Sequence, residues 1–158
     1  MVDIGDEAPD FTAPLANGDV EAFSLSERLN EAPIVFAFFP AAFTSTCTTE
    51  MCTFRDQLAN FEDVGATVYG VSVDLPYTLN EFRRQNDLNF GLISDERREL
   101  IEAYGVAEAW EPRDIRVAKR AVFVVDADGR ITYTWIADTP KREPDYEAVR
   151  EAAAEVSA

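Results

Sequence analysis

The chain contains no histidine, and its 158 residues include only two cysteines, Cys47 and Cys52. Without an imidazole, the Ser–His and Cys–His pairings of nucleophilic catalysis are excluded. Two thiols also fall short of the four ligands that a structural zinc or an iron–sulfur cluster requires. The thiols are separated by four residues, so they do not form the Cys-x-x-Cys of a disulfide reductase. Seven scattered glycines supply no glycine-rich phosphate loop. The most apolar segment, Ala32 to Phe43, is interrupted by Pro33 and Pro40 and is too short to span a bilayer. The opening residues Met1 to Glu7 are acidic and lack the basic and apolar regions of a secretion signal. A cytoplasmic protein with no membrane attachment is expected.

Lysine is nearly missing too, with only Lys119 and Lys141. Asp and Glu number 30 against 14 Lys and Arg, for a formal charge of −16. Such a surface repels nucleic acid and anionic membranes, and neither is expected as a partner. Two readings fit this balance. One is an ordinary acidic protein. The other is adaptation to concentrated salt, where the Debye length falls to about 3 Å at 1 M and repulsion among surface carboxylates is screened.

The remaining composition, 47% hydrophobic and 11% aromatic, is that of a globular chain, and its length suits a single domain over residues 1–158. Strand-like and helix-like segments alternate, which predicts an α/β fold. A hairpin is expected over Phe11–Phe23 around Asn17-Gly18-Asp19, and a buried strand over Ile34–Phe39. A helix is expected from Cys47 to about Asp63, with Met51, Phe54, Leu58 and Phe61 on its apolar stripe. Thr67–Val73 reads as a second central strand, and Pro76 opens a helix to about Asn86. Ser94-Asp95 caps another helix through Tyr104, and Ala121–Ile136 forms a hairpin around Ala127-Asp128-Gly129. Pro144 begins a last helix through Ala154. Gly105 to Lys119 has no clear period and reads as a surface loop.

Cys47 falls where the buried strand turns into the long helix, behind the hydroxyls of Thr44, Ser45 and Thr46. A thiol in a first helical turn meets unpaired backbone N–H groups and the positive end of the helix dipole, and both favour the thiolate. A thiolate that meets peroxide becomes a sulfenic acid. The same position also suits an inert, buried cysteine. Position alone does not separate the two.

The run Pro40-x-x-x-Thr44-x-x-Cys47 resembles the active-site signature of the peroxiredoxins, cysteine-based peroxidases with a thioredoxin-like mixed sheet flanked by helices. The likeness continues in Val2-x-x-Gly5-Asp6-x-Ala8-Pro9-Asp10-Phe11, in Val35 to Phe39, in Val71-Ser72-Val73-Asp74 and in Arg120-x-x-Phe123-Val124-Val125-Asp126. The resemblance implies that Cys47 attacks peroxide, that Thr44 hydrogen-bonds it and that Pro40 shields the thiol. It further implies that Arg120 stabilises thiolate and transition state while Glu50 orients the arginine. From the residues alone, Glu50 is equally an acid at a helix start, and Arg113 or Arg116 could stand in for Arg120.

The pair Cys47 and Cys52 resembles the bacterioferritin-comigratory-protein group, in which a cysteine of the same helix resolves the sulfenic acid as a disulfide. Five helical residues rise about 7.5 Å and turn about 140°, too far for a disulfide, so the first turns would have to unwind. The β-branched Thr48 and Thr49 weaken the helix there. Cys52 could instead be structural, with an external thiol resolving Cys47 as in the AhpE-like group. A non-enzymatic redox-sensing module shares the same first step. The resemblance implies no bound cofactor, a thioredoxin-like or low-molecular-weight thiol as reductant, and a monomer or homodimer.

Salt adaptation predicts a melting temperature that rises from dilute buffer to molar salt. A melting temperature flat across that range would leave the ordinary acidic protein as the reading.

Overall fold

The computed structural model describes residues 2–110 and 112–157. A seven-stranded mixed sheet runs in the order β2-β1-β5-β4-β3-β8-β9. Its strands are β1 (Thr12–Ala16), β2 (Val20–Ser24), β3 (Ile34–Phe38), β4 (Thr67–Ser72), β5 (Leu92–Ser94), β8 (Ala121–Val125) and β9 (Ile131–Ile136). β3, β4 and β5 are parallel, and the flanking pairs are antiparallel. The helices are α1 (Ser45–Asp63), α2 (Pro76–Gln85), α3 (Glu99–Ala103) and α4 (Tyr146–Ser157). The expected α/β sheet with an N-terminal hairpin is therefore present.

β3 is apolar at every position because both of its faces are covered. Val35, Ala37 and Phe39 point toward Met51, Phe54, Leu58 and Phe61 of α1, Leu79 and Phe82 of α2, and Val149 and Ala153 of α4. Ile34, Phe36 and Phe38 point the other way, toward Phe23, Tyr69, Tyr104 and Phe123. There the rings meet mainly edge to face, as between Phe38 and Phe123 at 5.6 Å and between Phe23 and Tyr69 at 4.9 Å. The predicted stripe of α1 is fully buried, and Gly65 follows the helix at φ 78°.

Two expectations need correction. Gly105 to Lys119 is not a featureless loop, because β6 (Ala107–Trp110) and β7 (Ile115–Ala118) pair as a second small sheet. Only Val117 and Ala118 of β7 are buried, so no alternating pattern marked the hairpin; Glu111 lies outside the described residues. The helix expected from Ser94-Asp95 through Tyr104 is shorter, and Ser94 belongs to β5. Asp95 does cap it, its two carboxylate oxygens accepting from the N–H groups of Leu100 and Ile101 at 3.0 and 2.9 Å.

Gly70 in β4 lies where α1 crosses the sheet. A Cβ there would stand 2.6 Å from Leu92 Cδ2 and 3.0 Å from Met51 Sδ. Gly70→Ala is expected to lower stability by about 1–3 kcal/mol through overpacking. Urea unfolding checks this, and an unchanged midpoint would mean that the Leu92 and Met51 side chains give way freely.

Candidate active site

The carboxyl ends of β3 and β4 carry the site. Pro40 is buried, and the chain then turns through Phe43, whose φ of 68° lies in the left-handed region. An aromatic side chain there is strained, so its surroundings must impose it. Three contacts do so. Asp74 Oδ2 accepts from the Ala42 N–H at 2.8 Å and from the Ser72 hydroxyl at 2.7 Å. The Thr44 hydroxyl donates to the Ala41 carbonyl at 2.8 Å. The Phe43 ring, 49% exposed, lies against Phe82 at 5.3 Å. Ser94 Oγ in turn donates to the Asp74 carbonyl at 2.6 Å, which joins β5 to the clamp. Reading the sequence did not give Asp74 this task, and the Ser72-x-Asp74 spacing at a strand end was the available signal.

Thr44 is the N-cap residue of α1 in extended conformation, yet its hydroxyl makes no cap bond because it is committed to Ala41. Its carbonyl accepts the helix's first bond, from the Thr48 N–H at 2.9 Å. Cys47 is therefore the third residue of α1, within the turn whose N–H groups have no partner inside the helix. Its thiol is only 2% exposed.

Arg120, immediately before β8, is 2% exposed and reaches the thiol from below. Its Nη2 donates to Cys47 Sγ at 3.4 Å, and its Nη1 donates to Glu50 Oε1 at 2.6 Å. Nη2 and Nε also donate to the Pro140 carbonyl, at 2.8 and 3.2 Å. Cys47, Glu50 and Arg120 thus converge, with Thr44 and Pro40 in the loop above. Arg113 and Arg116 do not join them: both are exposed, and Arg116 pairs with Glu102. The Pro140 carbonyl escaped the sequence reading, since a backbone acceptor leaves no mark in side-chain identity.

Glu50 is 0% exposed, and its Oε2 has no hydrogen-bond partner among the described residues. Burial pushes its carboxyl up to about 7; attraction to Arg120 opposes the rise, and Glu143 adds to it. Burial alone would weaken the Arg120 charge, but Glu50 and Cys47 together hold it above the ordinary arginine value. Arg120 is therefore a cation throughout the neutral range.

Cys52 stands apart from this cluster. Both cysteines are free thiols, and α1 is continuous across them. Cys52 is half-buried and directs its Sγ to Asn86 Oδ1, 3.7 Å away at the end of α2. Thr48, Thr49 and Thr53 return their hydroxyls to carbonyls four residues back, at 2.7–3.1 Å. Such bonds loosen a helix slightly.

The raised Glu50 carboxyl has a signed consequence. Between about pH 4.5 and about 7 the folded state holds a proton on Glu50 that the unfolded chain has released. Stability from this group is complete below that window and is lost as pH rises through it, by up to ~3 kcal/mol. Urea unfolding at pH 5 to 8 should show a shallower decline in Glu50→Gln than in the wild type; equal slopes would place the titration elsewhere.

Comparison with known proteins bears on the whole arrangement. The AhpC/TSA family model matches residues 4–134. A Mycobacterium tuberculosis protein provisionally named a peroxiredoxin is 40% identical over 129 residues, 80% of each chain. Peroxiredoxin Bcp of Escherichia coli is 33% identical over 133 residues, 83% of each chain. The crystal structure of BcpB from Mycobacterium tuberculosis aligns with a TM-score of 0.79 at 29% identity, over 96% of this chain and 94% of that one. With its mixed thioredoxin-like sheet and a buried thiol at the start of α1, the chain belongs to the AhpC/TSA family of peroxiredoxins.

Proposed function

We propose that this peroxiredoxin is a thiol-dependent peroxidase in which Cys47 attacks hydrogen peroxide or a small organic hydroperoxide. One observation carries the reading: Arg120 joins the buried Cys47 sulfur to Glu50 in the first turns of a helix. A guanidinium bond to sulfur is worth more to a thiolate than to a thiol, and the reactive species is the thiolate. A thiol so little exposed admits only a small oxidant.

In the first step the Cys47 sulfur bonds to the terminal peroxide oxygen and the O–O bond breaks. Cys47 is oxidised to sulfenic acid, and the departing oxygen takes up a proton to leave as water or an alcohol. Arg120 and the first-turn N–H groups face the oxygens on which negative charge grows. Thr44 has its hydroxyl proton on Ala41, so it meets the peroxide as an acceptor and takes the oxidant's O–H. Pro40 and the strained turn keep water from the sulfur. Glu50 fixes the guanidinium through the bond to Nη1 and leaves Nη2 for the sulfur.

Cys52 then resolves the sulfenic acid, releasing water and leaving an intramolecular disulfide. A thioredoxin-like protein or a low-molecular-weight thiol returns the enzyme to its dithiol form. Turnover with such a reductant distinguishes a peroxidase from a redox-sensing module.

Intact mass after one equivalent of peroxide is the test. Wild type should lose two hydrogens, Cys52→Ser should gain one oxygen, and Cys47→Ser should stay unchanged. A wild type that itself gains oxygen would assign resolution to an external thiol. Inert protein in all three would remove the peroxidase reading.

A further inference from the structure

Cys47 and Cys52 cannot meet while Ser45–Asp63 is helical, so one of them must leave its place. The two are not equally free. Cys52 lies between Met51 and Phe54, both fully buried, and carrying it toward Cys47 would pull both from the core. The same part of α1 is also tied to the end of α2. Arg55 Nη1 donates to the Asn86 carbonyl at 2.7 Å, Cys52 Sγ points to Asn86 Oδ1, and Asn89 Nδ2 donates to the Arg55 carbonyl at 3.3 Å. Asn86 is the C-cap residue of α2, where a helix has carbonyls without internal partners, so Arg55 is a charged cap as well as a tether. Cys47 has a small, buried side chain in the first turn, and among the described residues its sulfur's hydrogen-bond partner is Arg120.

We propose that Arg55 and Asn86 are positioning residues of the resolving step: they pin the Cys52 end of α1 to α2, so that only the first turns unwind and Cys47 travels to a stationary Cys52. The proposal rests on the reading of Cys52 as the resolving thiol. In that step the Cys52 sulfur attacks the Cys47 sulfur, the S–S bond forms and the S–O bond breaks. The departing hydroxide and the Cys52 proton leave as water. Cys47 is reduced from sulfenic acid and Cys52 oxidised from thiol, both to the disulfide level.

The Arg55 guanidinium is held above its ordinary value first by its hydrogen bond to Asp56; burial opposes the rise, and Cys52, Asp56 and Asp87 add smaller attractions. Arg55 thus lies within electrostatic reach of the sulfur that makes the attack. Asp56 and Asp87 are the acids facing it from α1 and from the turn after α2.

Three variants test the proposal: Arg55→Met removes the tether, Asn86→Ala keeps the carbonyl but removes the contact to sulfur, and Arg55→Lys restores a cation. Disulfide closure is followed by acid quench, alkylation and intact mass after a peroxide pulse. Sulfenic acid formation is followed separately with Cys52→Ser added. Closure is expected to slow about tenfold in Arg55→Met, the weight of one charge-assisted hydrogen bond, and a few-fold in Asn86→Ala. Arg55→Lys should recover most of the rate, and sulfenic acid formation should stay within about twofold throughout, which a general loss of structure would not give. In the wild-type disulfide form, amide protection should be lost from Ser45 to Phe54 and kept from Arg55 onward. Closure at the wild-type rate or faster in both Arg55→Met and Asn86→Ala, or loss of protection beyond Arg55 in the wild type, would overturn the proposal. If the wild type forms no disulfide at all, the resolving role of Cys52 fails, and this proposal with it.

Discussion

A buried guanidinium organises this protein. Arg120 has almost no contact with solvent, and a charge in such a place is tolerated only when its donors are matched. Glu50, the Cys47 sulfur and the Pro140 carbonyl match them. They belong to the front of α1 and to the segment between β9 and α4, so one side chain ties the central sheet to both. Removing Arg120 would leave Glu50 buried without its cation, and removing Glu50 would leave the reverse. The bonds proposed to dispose a sulfur for reaction are therefore also bonds that hold a helix on a sheet. Stability and reactivity share atoms here.

That sharing explains the strained turn above the site. Cys47 must enter α1 close to Arg120, so the chain has to reverse within a few residues of β3. Phe43 takes the left-handed conformation to make that turn, and Asp74 holds the loop in place with one carboxylate oxygen. The clamp engages the ends of β3, β4 and β5 together, where a parallel sheet offers its crevice. A turn of this kind persists because several neighbours impose it, and the Phe43 ring resting on Phe82 is one of them.

Much of this was legible in the chain. The stripe Met51, Phe54, Leu58, Phe61 marked the helix, and the apolar run from Ile34 marked the central strand, because burial writes itself into side-chain type. The three residues of β5 were too few to show a period, and β6 and β7 are too exposed to alternate. At the site, Cys47 and Glu50 share the front of α1, while Arg120 lies some 70 residues further along the chain, and the fold brings it within bonding distance of both. What stayed hidden is work done by the backbone and by hydrogen-bond direction. The Pro140 carbonyl has no letter of its own. Thr44 reads as a capping hydroxyl until its proton is found on Ala41.

α1 itself is built in two unlike halves. Its rear, from Phe54 through Leu58 to Phe61, is held by apolar burial, worth about 1.5–3 kcal/mol for each such side chain and indifferent to redox state. Its front is held in part by charge, through Cys47 and Glu50 on Arg120, and carries threonines that bond to their own helix. Oxidation of Cys47, as proposed, would act on the front. On the proposed mechanism, a neutral Cys47 sulfenic acid would bond Arg120 less strongly than the attacking thiolate does, and it would add an oxygen to a buried position. Both changes would weaken the front, while the apolar burial of the rear does not depend on them. On the proposed mechanism, the event that creates the need for a second thiol would thus also free the first turns to move toward it, and the buried stripe behind them would limit how far that movement spreads.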